Sequence, residues 1–510
     1  MKIKVKIAKL RLYVALAWMI SAFFVSLSPQ TASAGPKPVM VHYMPWFQSP
    51  YSLGANNWGY HWTLNHSNPN LFYSTNNQRQ VASWYYPVIG PYDSADPKVL
   101  EYHVLLMKLA GIDGVIVDWY GPDNYYDYLI NNQRTLALLT YASKAGLKFS
   151  LCYEDATIKA EIAGGCMNGV CVNSNNAIAH AQYELLYAQT NYFSYVNYLR
   201  LNGQPVFLNF GPQYFGASSN WAAIFPVLNS TNQPALFNED NRLSPAGMGA
   251  FDWPPMYLSR TTAQSPTEPV LGDSAMNGYL ATFDQNGASW PAYVSTAFPR
   301  FHDYYAQAGT GSSLGYLDDQ TGNTLRETLS RAMTNQSAVI QIATWNDFGE
   351  GTVIEPTAVG GEPTTEYGYT DLGIIQDFRR QYLDPTFPYH TNDLSLALRL
   401  YNLRQQYLNN APVYAELDRI FTNIVSGKTA LAGLQLTGIE SSSPVIYNLS
   451  AGGNQMQFSI GGYLASGALV QMSTNLTSWQ TAQTFSPGTN LLIFNTDTTQ
   501  VVSRFFKVQQ

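Results

Sequence analysis

Within the stretch TWNDFGEGTVIEP, residues 344–356, the carboxylates Asp347 and Glu350 stand three residues apart, with Trp345, Asn346 and Phe348 around them and Glu355 just beyond. Two acids at that spacing on one loop can converge on a single bond. Hydrolysis of a glycosidic bond uses such a pair: one carboxylic acid protonates the departing oxygen, and a second carboxylate activates water or attacks covalently. The plain alternative is that one acid caps a helix and the other is a surface charge, because acids beside glycine are common in turns. Similar mixtures follow other apolar runs: His42, Tyr43 and Trp46, then Asp118, Trp119 and Tyr120, then Tyr153, Glu154 and Asp155. Acids and amides bind sugar hydroxyls while aromatic faces cover C–H surfaces. The candidate substrate-binding set is therefore His42, Tyr43, Trp46, Asp118, Trp119, Tyr120, Glu154, Trp345, Asn346 and Glu355.

The elements that carry these residues read as strands alternating with amphipathic helices, the pattern of a parallel sheet covered by helices. In the clearest unit, Asp96 and Pro97 start a helix, Gly111 stops it, and the run IDGVIVDW at 112–119 follows as a buried strand. The same grammar predicts a helix over 131–145 with a strand over 147–153, a helix over 178–201 with a strand over 205–210, and a helix over 325–333 with a strand over 338–344. Val39–Tyr43 supplies the first strand, and weaker strands are expected at 235–238, around Met256–Leu258 and at 292–297. About eight strands suggest a (β/α)₈ barrel, whose reactive side chains come from the C-terminal strand ends. None of the strong strands is followed by the glycine-rich turn that a doubly wound nucleotide-binding sheet would want. Helical sequence over 394–424 is expected to close the barrel.

Other chemistries fare worse. Gly311 to Gly315 matches G-x-S-x-G, but no apolar strand precedes it, as a nucleophile elbow requires. The seven histidines show no paired metal-ligand spacing, so no metal and no cofactor is expected. Cys166 and Cys171 bracket a glycine-containing loop and suit one local disulfide, with Cys152 left buried and reduced.

Composition bounds the partners. The chain of 510 residues is 46% hydrophobic and 12% charged, with 27 Lys and Arg against 34 Asp and Glu. Five of those bases lie in the first eleven residues, ahead of an apolar stretch over 12–27 and the sequence Ala32-Ser33-Ala34, which reads as a signal peptide cleaved after Ala34. Without them the balance is 22 against 34, or −12. So acidic a chain has no electrostatic reason to bind nucleic acid or an anionic membrane, and a neutral glycan fits better. The expectation is an exported protein with no stable membrane insertion; its oligomeric state is not legible. The barrel is expected over 35–425, a linker over 426–433, and an all-β, sandwich-like module over 434–510, where charge becomes sparse and Met456, Phe458 and Ile460 alternate with polar residues.

The motif at 344–356 resembles the last-strand motif of glycoside hydrolase family 99, the endo-α-mannosidase and endo-α-mannanase family. Its first half is also similar to that of family 71, the α-1,3-glucanases. The likeness extends to VHYMPWF at 41–47, to residues 89–121 and to YED at 153–155, and so covers most of residues 38–380. Both families are (β/α)₈ barrels. The resemblance implies that Glu350 is the general acid and Asp347 its catalytic partner. Family 99 has Glu in the partner position, whereas this chain has Asp, as family 71 does. Asp is one methylene shorter and withdraws its carboxylate by roughly 1.5 Å, which favours a water-admitting, inverting arrangement. The expected activity is endo-hydrolysis of an α-mannan or α-glucan. The rival is a catalytically silent barrel that only binds or tethers polysaccharide.

Overall fold

The computed structural model describes residues 36–358, 368–452, 455–464, 467–486, 492–497 and 504–509. The expected signal peptide lies outside them. Eight parallel strands form a closed barrel: β1 (Val39–Tyr43), β2 (Gly114–Trp119), β3 (Lys148–Tyr153), β4 (Gln204–Asn209), β5 (Ala235–Glu239), β6 (Gly249–Phe251), β7 (Val294–Ala297) and β8 (Val339–Ile342). The order runs β3-β2-β1-β8-β7-β6-β5-β4, and β4 returns to pair with β3. Helices α1 (Pro97–Ala110), α2 (Tyr128–Lys144), α3 (Ala156–Gly164), α4 (Ala177–Ala188), α5 (Ser218–Ile224), α6 (Asp273–Gly287), α7 (Asn323–Thr334) and α8 (Thr370–Phe378) accompany them. As the sequence predicts, the Asp96 side chain accepts from the Lys98 amide at 2.9 Å and Gly111 ends α1 at φ 83°.

Two local expectations differ. Met256–Leu258 is a single 3-10 turn, and the strand is Gly249–Phe251. Pro254 and Pro255 remove the amide donors a ladder needs, while β6 is carried by small residues: a side chain at Gly249 would lie 1.8 Å from the Ala292 carbonyl oxygen. The helix expected over 178–201 ends at Ala188, continues as one π-turn over Gln189–Phe193, and gives way to Arg200–Leu201, which pairs antiparallel with β4.

Side chains alternate across each barrel strand. Met40, Ile116, Cys152, Val206, Leu208, Phe237, Val294 and Val339 form the inner core, whereas Val41, Val117, Leu151, Phe207, Leu236 and Ile340 pack outward with the helices. No described helix is long and apolar enough to cross a membrane.

Two further helices, α9 (Ser395–Gln406) and α10 (Ala411–Val425), occupy the stretch expected to be helical. The expected linker at 426–433 differs: α11 (Thr429–Glu440) runs through it, with Leu436 and Ile439 fully buried. The β-rich part starts at Pro444. Strands β9 (Pro444–Gly452), β10 (Gln455–Gly462) and β13 (Leu492–Asp497) form one antiparallel sheet, and β11 (Ala468–Ser473), β12 (Gln480–Phe485) and β14 (Phe505–Gln509) form another, around Phe458, Ile460, Val470 and Phe494. The Glu416 carboxylate of α10 is fully buried and accepts from Gln435 of α11 at 2.8 Å and from the Gly462 amide of β10 at 2.9 Å.

Truncation separates α11 from the β-strands energetically. Ending the chain after Gly433 removes Leu436 and Ile439, each contributing about 1.5–3 kcal/mol by burial, and takes Gln435 from Glu416. Ending it after Ser442 keeps all three. Thermal melts should place the shorter chain several degrees below the longer one; equal midpoints would show that α11 adds nothing to the barrel.

Candidate active site

The turn after β8 builds the acid pair. The Thr344 amide donates to Thr352 O and the Ile354 amide to Thr344 O, both at 3.0 Å, while the two threonine hydroxyls meet at 2.9 Å. Residues 344–354 thus fold back on themselves. Gly351 sits at φ 69°, and a side chain there would come within 2.6 Å of both the His302 carbonyl oxygen and the Tyr85 ring, so only glycine fits. Amides of His302 and Tyr304 clamp the outer edge by donating to Glu350 O and Gly349 O at 2.8 and 2.9 Å.

Asp347 is 5% exposed and accepts the Glu350 amide at 3.0 Å. Burial pushes its pKa up to about 6, with the amides of Glu350 and Gly349 opposing the rise. Glu350 is held well above the ordinary carboxylate range by burial first and by the charges of Asp347 and Asp303 next. The Tyr305 hydroxyl donates to it at 3.3 Å. The two environments push the pair apart: backbone amides favour the charged form of Asp347, while the charges of Asp347 and Asp303 favour the protonated form of Glu350, the order that a base and an acid need.

More acids surround them on the inward positions. Asp118 at the end of β2 is buried with Oδ1 free of any hydrogen bond, and burial raises it well above its usual range, against a hydrogen bond with Tyr120 and with the charge of Asp347 adding to the rise. Glu154 is raised likewise by burial, then by Asp118, Asp155 and Glu239. Glu239 at the end of β5 rises to about 7 through burial, with Asp240 adding to it. His42, driven to about 4 by burial, is a neutral imidazole packed edge-on against Trp253 at 4.9 Å. Trp46 stacks on His61 at 4.1 Å with the rings 6° apart and meets Tyr120 at 6.3 Å, so three rings stand beside Asp118. Asp155 does not face this mouth: it accepts the amides of Gln213, Tyr214 and Phe215 at 2.7, 3.0 and 2.7 Å and fixes the loop after β4.

Five of the expected substrate-binding residues are placed elsewhere. Tyr43, Trp119 and Trp345 are fully buried in the outer apolar layer, Tyr43 and Trp119 on the pleat positions opposite His42 and Asp118, and Trp345 in the turn past the end of β8. Tyr43 is hydrogen-bonded to His103 at 3.0 Å, and the Trp119 indole donates to Asn132 at 2.9 Å. The Asn346 amide binds Met44 N and O, both at 2.9 Å, and so ties the β8 turn to the β1 loop. Glu355 accepts from Tyr92 at 2.8 Å and lies 3.3 Å from His103, 2% exposed. Asp118 lies within electrostatic reach of Asp347 and Glu154 of Glu350, Tyr120 is hydrogen-bonded to Asp118, Trp46 meets Tyr120, and His42 packs on Trp253. The sequence reading missed Glu239, Trp253 and Tyr305. Glu239 ends a strand and was findable by the same rule, whereas Trp253 follows the strand that was misplaced.

Outside this mouth, Asp123, His180 and Glu184 bring one ligand atom each within 4.8 Å of one another, the one such metal-capable group among the described residues. A disulfide joins Cys166 and Cys171, and Cys152 is free and buried.

Residues 36–163 match the model of Glycosyl hydrolase family 99. A glycoprotein endo-alpha-1,2-mannosidase-like protein of Danio rerio is 32% identical over 16% of this chain and 20% of its own, and the glycoprotein endo-alpha-1,2-mannosidase of Rattus norvegicus is 22% identical over 65% and 71%. The chain spans about a fifth of the length of the first of these relatives. The structure of the family 99 endo-alpha-mannosidase from Bacteroides thetaiotaomicron is 18% identical over 68% of this chain and 97% of that one, with a TM-score of 0.48. The chain is thus family 99-like.

The raised pKa of Glu239 has a consequence for stability. Its folded value of about 7 exceeds the unfolded value near 4.3, so the folded chain holds a proton that the unfolded chain has released. The stability tied to that proton is present below the unfolded pKa and is lost as pH rises through the folded one. Glu239→Gln should therefore raise the melting temperature at about pH 8.5 and leave it nearly unchanged at about pH 4. A melt that drops equally at both would mean that the carboxylate is held by a contact that glutamine cannot replace.

Proposed function

We propose that this family 99-like chain is a glycoside hydrolase that cleaves internal bonds of an α-linked glycan, an α-mannan or α-glucan, with Glu350 as general acid and Asp347 as base. The observation that carries the reading is that buried Asp347 and half-buried Glu350 stand on one turn, Asp347 accepting the Glu350 amide at 3.0 Å. Likeness to glycoprotein endo-α-1,2-mannosidases supports an α-linked substrate and makes α-mannan the first to try. An exported location accompanies the proposal, resting on the basic and apolar N-terminal sequence.

A sugar at the mouth would stack on Trp46 and Tyr120 and present hydroxyls to Asp118 and Glu154, whose raised pKa values let them donate as well as accept. Glu350 then passes its proton to the glycosidic oxygen as the bond breaks. The Asp347 carboxylate, drawn toward its own turn by the amides of Gly349 and Glu350, is the shorter acid held back from the anomeric carbon. That setting favours a water between them, deprotonated by Asp347 as it attacks from the opposite face, and hence inversion. The electron pair of the broken bond goes to the leaving oxygen, which takes the Glu350 proton.

Reducing-end release from a panel of soluble α-mannans and α-glucans is the direct test, and absence of release from all of them would favour the polysaccharide-tethering alternative. Glu350→Gln should lower turnover on the natural glycan by at least ~100-fold while preserving the melting temperature, because a positioned general acid contributes about 10²–10⁴. An aryl glycoside with a good leaving group should lose far less. Activity should rise through an acidic limb near pH 6 as Asp347 loses its proton.

Proton NMR of the first product decides the stereochemistry. A β-configured product from an α-linked substrate supports Asp347 as base, and an α-configured product refutes it.

A further inference from the structure

A second group of acids lies on the helix side of the barrel, away from the mouth. Asp123 comes from the loop after β2, Glu161 from α3, and His180 and Glu184 from α4, where their four-residue spacing puts them on one helix face. Glu161 and Glu184 are fully buried, Asp123 is 7% exposed, and His180 is half-buried. Three carboxylates are thus gathered around one imidazole. Among the described residues their only ion-pair contacts are with His180, at 2.7 Å from Asp123 and 3.4 Å from Glu161. Even with His180 charged, the group would carry an excess of buried negative charge, which is strongly unfavourable without a cation or protons to offset it.

The polar atoms are not satisfied by one another. His180 Nε2 and Asp123 Oδ2 meet as an ion pair at 2.7 Å, while Glu184 Oε1 and both oxygens of Glu161 have no hydrogen-bond partner. The other Glu184 oxygen accepts from the Tyr153 hydroxyl at 2.5 Å, which fixes the carboxylate's orientation. Gly121, at φ 87°, leaves the space beside Glu184 Oε1 open, since a side chain there would come within 2.0 Å of it.

We propose that Asp123, His180 and Glu184 bind one divalent transition-metal cation through two carboxylates and an imidazole nitrogen, with the Glu161 carboxylate beside them at 3.4 Å from His180. One imidazole with carboxylate oxygens is a donor set that suits Zn²⁺ or Mn²⁺, whereas Ca²⁺ prefers oxygen donors throughout. The Tyr153 hydroxyl on Glu184 supplies the outer hydrogen bond that orients a metal-bound carboxylate. The site ties the β2 loop to α3 and α4, and so steadies the segment that begins at Tyr120 of the mouth. Its role is structural, and it takes no part in proton transfer at Glu350.

The test uses the full-length protein, freed of metal by chelation and dialysed against Zn²⁺ or Mn²⁺. Metal analysis should find about one equivalent of Zn²⁺ per chain with Kd below about 10 µM. Saturating Zn²⁺ should raise the melting temperature by about 2 °C or more. Both effects should be lost in His180→Gln and Glu184→Gln. Asp123→Asn, a change on the least buried of the three carboxylates, gives a folded control with weakened binding. A folded wild-type chain that takes up neither Zn²⁺ nor Mn²⁺ overturns the proposal, as does stoichiometric binding that survives in all three variants.

Discussion

The structure encloses more carboxylate than it neutralises, and that imbalance governs both of its acid clusters. At the mouth, Asp118 and Asp347 are buried and Glu154, Glu239 and Glu350 half-buried; lost hydration is the largest cause of every shift, and the charges of these acids on one another add to it at Asp118, Glu154 and Glu350. Lost hydration disfavours every charged form at once, so the acids cannot all ionise together. Asp347 differs because two backbone amides oppose the rise, which leaves it the acid that ionises while Glu350 keeps its proton. The same imbalance at Asp123, Glu161 and Glu184 has only one imidazole to set against it. Elsewhere, buried acids have cations: Asp252 with Arg331, Asp371 with Arg300 and Asp93 with Arg134 are the ordinary structural solution.

Which acids face the mouth is decided by the pleat of the strands. The sequence makes the eight-strand barrel legible, because α1 with its Asp96 cap and Gly111 stop and the run at 112–119 leave little freedom. It also shows that strand ends carry acids and rings. Reading the face requires the parity of each strand, which a continuous apolar run hides: VIVDW is buried on both sides, so hydrophobicity alone does not tell Asp118 from Trp119. The register supplies that parity, with Asp118 inward and Trp119 in the helix layer. The same parity sets Tyr43 in the helix layer opposite His42, whereas Trp345 lies past the end of β8, where no strand parity applies.

The remaining failures are local conflicts that sequence periodicity cannot weigh. β6 is spelled with Gly249 and Ala250, small residues chosen for close approach to the Ala292 backbone, and so carries no β-branched signal. The boundary near 426 was drawn where charge thins, yet charge thins there because α11 is wedged between the barrel helices and the β-sheets. Its Gln435 serves a buried acid, Glu416, which also accepts the Gly462 amide of the first sheet and pairs with Arg419.

These constraints meet in the β8 turn. Asn346 looks like a sugar-binding amide in the sequence, but its two hydrogen bonds to Met44 clamp the turn to the β1 loop. Glu355 does the same from below through Tyr92, whose hydroxyl also receives the Asn346 amide at 3.0 Å. A rigid clamp is what the acid pair needs, because the burial that raises Glu350 also favours any movement that would expose it to water. The hydrogen bonds of Asn346 and Glu355 thus hold the frame, and the frame holds Glu350 half-buried beside Asp347.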